Sequence, residues 1–187
     1  MSRKAKNNPP NKKGAADSPP HLPLLRVCLL FFALVLGLHL LQWTMIPRHA
    51  LEVLQLFTAK AAAGLIRASG IPLTLEGTSI FLLDKHWEVI PECTALSAFI
   101  VFASFVLAYP SGIKAKTLGL LIGLPFLFSA NIFRLFALAW ATRLSPNAAE
   151  VVHDYIWQVA FLLLLVLMWL AWIELVVKLE KNPAVSD

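Results

Sequence analysis

The chain has 187 residues, 58% of them hydrophobic, with a mean hydropathy of +0.71 and a formal net charge of +5. A soluble domain of this size needs more polar surface than that composition leaves, so a bilayer protein is expected. The basic residues are spread over separate loops and form no single patch, which argues against a nucleic-acid partner.

Residues 1–23 combine Lys, Arg and Asn with prolines at 9, 10, 19, 20 and 23, and read as a disordered basic tail. Residues 24–46 are the first apolar window. It has about the twenty residues that cross ~30 Å of hydrocarbon, exceeds a secretory signal core and precedes no small-x-small cleavage site, so a retained anchor helix is expected. Residues 47–92 then lie outside the membrane. Within them, 49–69 favour a helix stopped by Gly70 and Pro72; Glu52, Lys60 and Arg67 favour an interfacial position for it, the alternative being a fifth span that would invert every later loop and turn Lys114 and Lys116 outward. Residues 71–90, broken at Gly77-Thr78 and Asp84-Lys85, predict a small β-hairpin, either a lid over the helix ends or an edge that adds an extended peptide as a further strand.

Residues 93–178 carry three further apolar windows, at 95–109, 118–141 and 155–177, and residues 179–187 form a short tail. The expected fold is therefore an all-α polytopic membrane protein with about four transmembrane helices, an interfacial helix and a small extracytoplasmic hairpin. Charge sets the orientation. Arg3, Lys4, Lys6, Lys12, Lys13, Arg26, Lys114, Lys116, Lys178 and Lys181 fall on one side of that topology, so both termini are expected in the cytoplasm. Trp43, Trp140 and Trp157 near one face, and Trp172 near the other, read as an aromatic belt.

Three reactive side chains then fall at the outer mouths of successive spans. Pro91-Glu92-Cys93-Thr94 reads as a helix start, where the dipole favours a thiolate and Glu92 opposes it. Arg134 lies seventeen residues beyond Thr117, a rise of ~26 Å that brings its guanidinium level with Cys93, and Asn131 shares its helix face. Ser145-Pro146 predicts the start of the last helix, which would carry His153 and Asp154 to the same height. A thiol, a guanidinium and an imidazole supply a nucleophile, an oxyanion donor and a proton-transfer group. Cys28 sits near the opposite face and is no disulfide partner for Cys93. The chain has no HExxH helix, GxSxG elbow or phosphate loop, so neither a metal nor a cofactor is expected.

From Cys93 to Glu174 the sequence resembles the exosortase/archaeosortase family, whose pattern is a cysteine opening one span, Asn-x-x-Arg near the outer end of the next, and a histidine before the following one. Here these are Cys93, Asn131-Ile132-Phe133-Arg134 and His153, with Val89-Ile90-Pro91-Glu92 as the approach to the cysteine. Many members have glycine two residues after the cysteine, where this chain has Ala95. The resemblance implies a compact member: an inner-membrane cysteine transpeptidase or peptidase acting on secreted proteins with a C-terminal sorting signal of short motif, hydrophobic helix and basic end. In that role Cys93, Arg134 and His153 are catalytic, Asn131, Glu92 and Asp154 bind or orient, and an amine or water resolves a thioester. Sequence leaves the oligomeric state open. The competing reading is a non-enzymatic assembly factor for exopolysaccharide or surface-protein export.

Overall fold

A computed structural model describes residues 21–82, 85–144 and 157–178. Helix α1 (His21–Met45) is followed by α2 (Arg48–Ala68), strands β1 (Thr74–Glu76), β2 (Ser79–Leu82) and β3 (Lys85–Glu88), and a 3-10 turn (Pro91–Cys93). Then come α3 (Leu96–Ala108), α4 (Ile113–Leu144) and α5 (Trp157–Trp172), the last continued by a π-helical turn (Ile173–Val177). Three helical stretches are long and apolar enough to cross a membrane: Leu24–Met45, Ile113–Leu144 and Val159–Val177. The protein is thus a multi-pass membrane protein. Helix α2, with its charged Glu52, Lys60 and Arg67, is not among these stretches.

The expected second span is the short apolar helix α3, whose 13 residues rise only ~20 Å. It packs between α1, α4 and α5. Lys116 ties its far end down by donating from Nζ to the Leu107 carbonyl at 2.7 Å, a cation placed on the negative end of the helix dipole. Helix α4 runs unbroken through Pro125 for 32 residues, so its Asn131 stands ~27 Å along the axis from Ile113. The non-helical residues before Leu96 make up the difference between the two helices and bring Cys93 up to Asn131.

One apolar core fills the bundle between α3, α4 and α5, centred on Phe102, Val106, Leu127, Leu165 and Trp172. It depends on close approach at α4. Ala115, Gly119 and Gly123 recur at four-residue intervals, the small-residue spacing that lets membrane helices touch. A methyl at Gly119 would lie 2.8 Å from Cδ1 of Trp172, and one at Gly123 would run into the ring of Phe102. Trp172, expected in an interfacial belt, is instead 5% exposed and donates Nε1–H to the Ala115 carbonyl at 2.9 Å. The groove left by Gly119 admits the indole. Valine at Gly119 or Gly123 is therefore expected to lower the thermal unfolding midpoint in detergent, at a cost of about 1–3 kcal/mol from overpacking. Gly64→Ala, with nothing within 4 Å of the new methyl, is the control without a clash and should hold or raise the midpoint, since alanine favours the helix interior over glycine.

Beyond Asn131, the far half of α4 supports a second layer. Ala59, Ala62, Ala63 and Ile66 of α2 are fully buried; Ala59 and Ala62 cluster with Ile80, Val89, Ile132 and Leu135, and Ile66 with Leu82 and Ala139. Gly70, at φ +81, reverses the chain after α2, and Gly77, at φ +60, makes the turn from β1 to β2; both conformations favour glycine. The expected hairpin is a three-stranded antiparallel sheet in the order β1-β2-β3, with Ser79 opposite Glu88 and Leu82 opposite Lys85. Its third strand follows the break expected at Asp84-Lys85. Gln55 then fixes the exit from the sheet, donating Nε2–H to the Val89 carbonyl at 2.8 Å, and the chain turns directly into Pro91–Cys93.

Candidate active site

Three helix faces converge beside the 3-10 turn. Ser97, Ala98 and Val101 follow helical spacing on α3, just past the extended Thr94, Asn131 and Arg134 do so on α4, and Trp157, Phe161 and Leu165 on α5. With Glu92 they line a cleft of about 290 Å³. Its polar groups, Glu92, Thr94, Ser97, Asn131 and Arg134, gather near the turn, while α5 and the later residues of α3 make its apolar wall. Such a cleft suits a ligand that is polar at one end and hydrocarbon along its length.

The backbone around Cys93 is held on both sides. Cys93 N–H donates to the Ile90 carbonyl at 2.9 Å, and Asn131 Nδ2–H donates to the Cys93 carbonyl at 2.9 Å. Asn131 is 1% exposed, so this bond satisfies a side chain that would otherwise be costly to bury. Thr94 closes the turn by donating Oγ1–H to the Pro91 carbonyl at 2.6 Å. It is Asn131 that meets the Cys93 turn, whereas Arg134, the residue expected level with Cys93, lies three residues farther along the same face of α4.

Two expectations about Cys93 are corrected. It does not begin the helix but occupies the turn three residues ahead of Leu96, because Pro91 starts a 3-10 element and Thr94 leaves it in extended conformation. Its side chain is half-buried against the layer formed by Ala59, Ala62 and Ile132, and does not line the cleft, although Glu92 and Thr94 on either side do. Burial consequently pushes the thiol above its ordinary value, Arg134 and a backbone hydrogen bond at Ile90 pull it back, and Glu92 adds to the rise. The thiol, not the thiolate, is the resting species at neutral pH.

That balance has a measurable sign. In a Cys28→Ser background, alkylation of Cys93 by iodoacetamide is expected to climb through and beyond the pH range of an ordinary thiol, ~8.5. Arg134→Gln removes an attraction for the thiolate and slows alkylation at pH 8 a few-fold. Glu92→Gln removes a repulsion and accelerates it. A pH profile unmoved by both changes would show that neither charge acts on the sulfur.

His153 and Asp154, together with the expected cap at Ser145-Pro146, lie outside the described residues. The structure adds Thr94, Ser97 and Trp157 to the cleft, none of which the sequence reading assigned to it. For Ser97 and Trp157 the signal was spacing, since Ser97 shares a helix face with Val101, and Trp157 with Phe161 and Leu165; Thr94, in extended backbone next to Cys93, carried no such signal. Among the described residues no group of three or more His, Cys, Asp or Glu side chains could hold a metal ion.

The model of the transmembrane exosortase family matches residues 21–170, which include the first helix, the α2 and sheet layer and every residue of the cleft. No curated protein and no solved structure gave a significant match. Since the family match runs over most of the sequence, the chain belongs to the transmembrane exosortases.

Proposed function

We propose that this protein is a membrane-embedded cysteine transpeptidase or peptidase that cleaves C-terminal sorting signals of secreted proteins, with Cys93 as nucleophile. Family membership supports a role in sorting-signal processing. The observation that carries the residue assignment is the Asn131–Cys93 hydrogen bond, which fixes the backbone of the candidate nucleophile at the polar end of the cleft that Arg134 lines. With Ile113 near one membrane face, the ~27 Å rise to Asn131 sets this point close to the other face of a ~30 Å core. In this reading α3 supplies the fourth crossing, the charge bias sets the site on the extracytoplasmic side of the inner membrane, and the substrate's hydrophobic helix enters the apolar part of the cleft sideways from lipid.

Chemically, Cys93 Sγ rotates from its apolar shelter and attacks the scissile carbonyl. Because burial favours the neutral thiol, its proton must leave during attack, a task assigned to His153 with Asp154 orienting the ring. Arg134 donates to the developing oxyanion, Asn131 positions the turn, and Glu92 orients what enters the cleft. The C–N bond breaks, His153 protonates the departing amine, and a thioester remains on Cys93. An amine or water then resolves it.

The test is a covalent one. Protein co-expressed with its secreted partners and quenched in acid is expected to yield a Cys93-containing peptide carrying an acyl mass, lost on treatment with neutral hydroxylamine. Mass spectrometry of that adduct identifies nucleophile and substrate together. An adduct on Cys28, or none under conditions where processing is under way, removes the assignment.

A further inference from the structure

Glu92 lines two cavities. The second, of about 280 Å³, is walled by Gln42 and Trp43 from the end of α1, Arg48 and Leu51 from the first turn of α2, and by Pro91 and Glu92. The two are nearly equal in volume and share one carboxylate beside the cysteine. A reaction through a thioester needs two approaches to one carbon, since the incoming nucleophile cannot occupy the path still filled by the acyl donor. Cys93 lines neither cavity, but its neighbour Glu92 lines both.

Building on the reading of Cys93 as nucleophile, we propose that the second cavity is the acceptor subsite, and that it takes a primary ammonium with an anionic group close by. Arg48 and Glu92 face the cavity with opposite charges, yet among the described residues neither has an ion pair or hydrogen bond from its side chain. Gln42 contributes an amide whose buried Oε1 has no partner among the described residues. Helix α2 opens at this wall with no side-chain cap and no acidic residue in its first turn, so its free N–H groups and dipole add to Arg48 in favouring an anion. The carboxylate of Glu92, next in sequence to the cysteine, is the ammonium's partner. Trp43, Leu51 and Pro91 give the site an apolar wall beside the exposed Arg48 and Glu92.

The transfer step balances. The amine nitrogen bonds to the acyl carbon, the C–S bond breaks, and its electron pair returns to Cys93 sulfur. Of the two protons the ammonium loses, one ends on that sulfur and the other passes to water by way of Glu92.

O-phosphoethanolamine is a probe with this pair of charges, and phosphatidylethanolamine carries the same group as a lipid headgroup. Equilibrium dialysis of the radiolabelled compound against the full chain in phosphatidylcholine nanodiscs is expected to show saturable binding. Arg48→Gln and Glu92→Gln should each weaken it at least tenfold, Leu51→Trp should abolish it by filling the cavity, and Val101→Trp, which fills the other cleft, should leave it unchanged. Binding of the free compound points to a water-soluble acceptor. Retention of phosphatidylethanolamine alone, lost in the Arg48 and Glu92 variants and read by native mass spectrometry, points to a headgroup. The proposal falls if neither probe binds, or if binding ignores Arg48→Gln and Glu92→Gln in variants whose unfolding midpoints match the parent. Cys93→Ala protein serves equally well in the binding assay. A failure there is a failure of this cavity, whereas processing that survives Cys93→Ala is a failure of the nucleophile assignment.

Discussion

Cys93→Ala is expected to abolish maturation of co-expressed secreted proteins while leaving the protein folded and inserted. The expected loss is large because a covalent route disappears outright; removing the nucleophile of a comparable acyl-transfer enzyme costs on the order of 10⁶ in kcat. The expected structural cost is small. Alanine keeps the backbone carbonyl that accepts from Asn131 and the N–H that donates to Ile90, and it deletes only a half-buried sulfur from the layer of Ala59, Ala62 and Ile132. Cys93→Ser keeps nearly the same volume but offers a far weaker nucleophile in a site where even the thiol is held neutral, and its loss should be nearly as deep. The readout is the ratio of precursor to mature substrate by immunoblot, with membrane insertion and thermal midpoint as controls. If Cys93→Ala protein inserts normally and processing continues, the enzymatic reading is lost. The assembly-factor reading then takes its place, since a scaffold tolerates loss of one sulfur and responds instead to damage at packing surfaces such as Gly119 and Gly123.

The approach of one face of α4 to Cys93 was legible in the sequence because it follows from lengths, although Asn131 and not Arg134 meets the turn, and His153, the third residue expected at that level, lies outside the described residues. A helix rises by a fixed amount per residue, so Arg134 had to emerge near the far membrane face, and Asn131 had to share its side. What residues do sideways was harder to read. The shelter around the Cys93 thiol is built by Ala59 and Ala62 of α2, and alanine gives little periodic signal for which neighbour it will touch. The dipole argument for a depressed thiol pKa therefore failed on a contact more than thirty residues away in sequence. Trp172 was misplaced for a similar reason: an interfacial tryptophan and one that fills the groove at Gly119 look alike until α4 and the helix end are paired. The third strand was hidden because Lys85-His86-Trp87-Glu88 forms a sheet edge with only Trp87 turned partly inward, leaving little alternation to detect.

Arg134→Met should lower kcat by about 10²–10³ with little change in KM, the loss seen when one oxyanion donor is removed from a preorganised site. The argument starts from cost. An arginine near the end of an apolar helix is expensive to desolvate, and α4 holds this one half-buried at a cleft shared by three helices. Methionine matches the length of its aliphatic stem, so packing against neighbouring side chains is largely kept and the charge is the main thing removed. A purely electrostatic role on the thiol predicts a different pattern: the variant would recover at high pH, where Cys93 ionises without help. Stabilisation of the oxyanion predicts a deficit that persists across the pH range. Arg134→Lys separates charge from shape, since an ammonium retains the former but cannot present the planar fork, and intermediate activity is expected. Full activity in Arg134→Met at any pH would leave the oxyanion without its assigned donor, and the free N–H groups at the start of α3, where Ser97 and Ala98 line the same cleft, would be the next candidates.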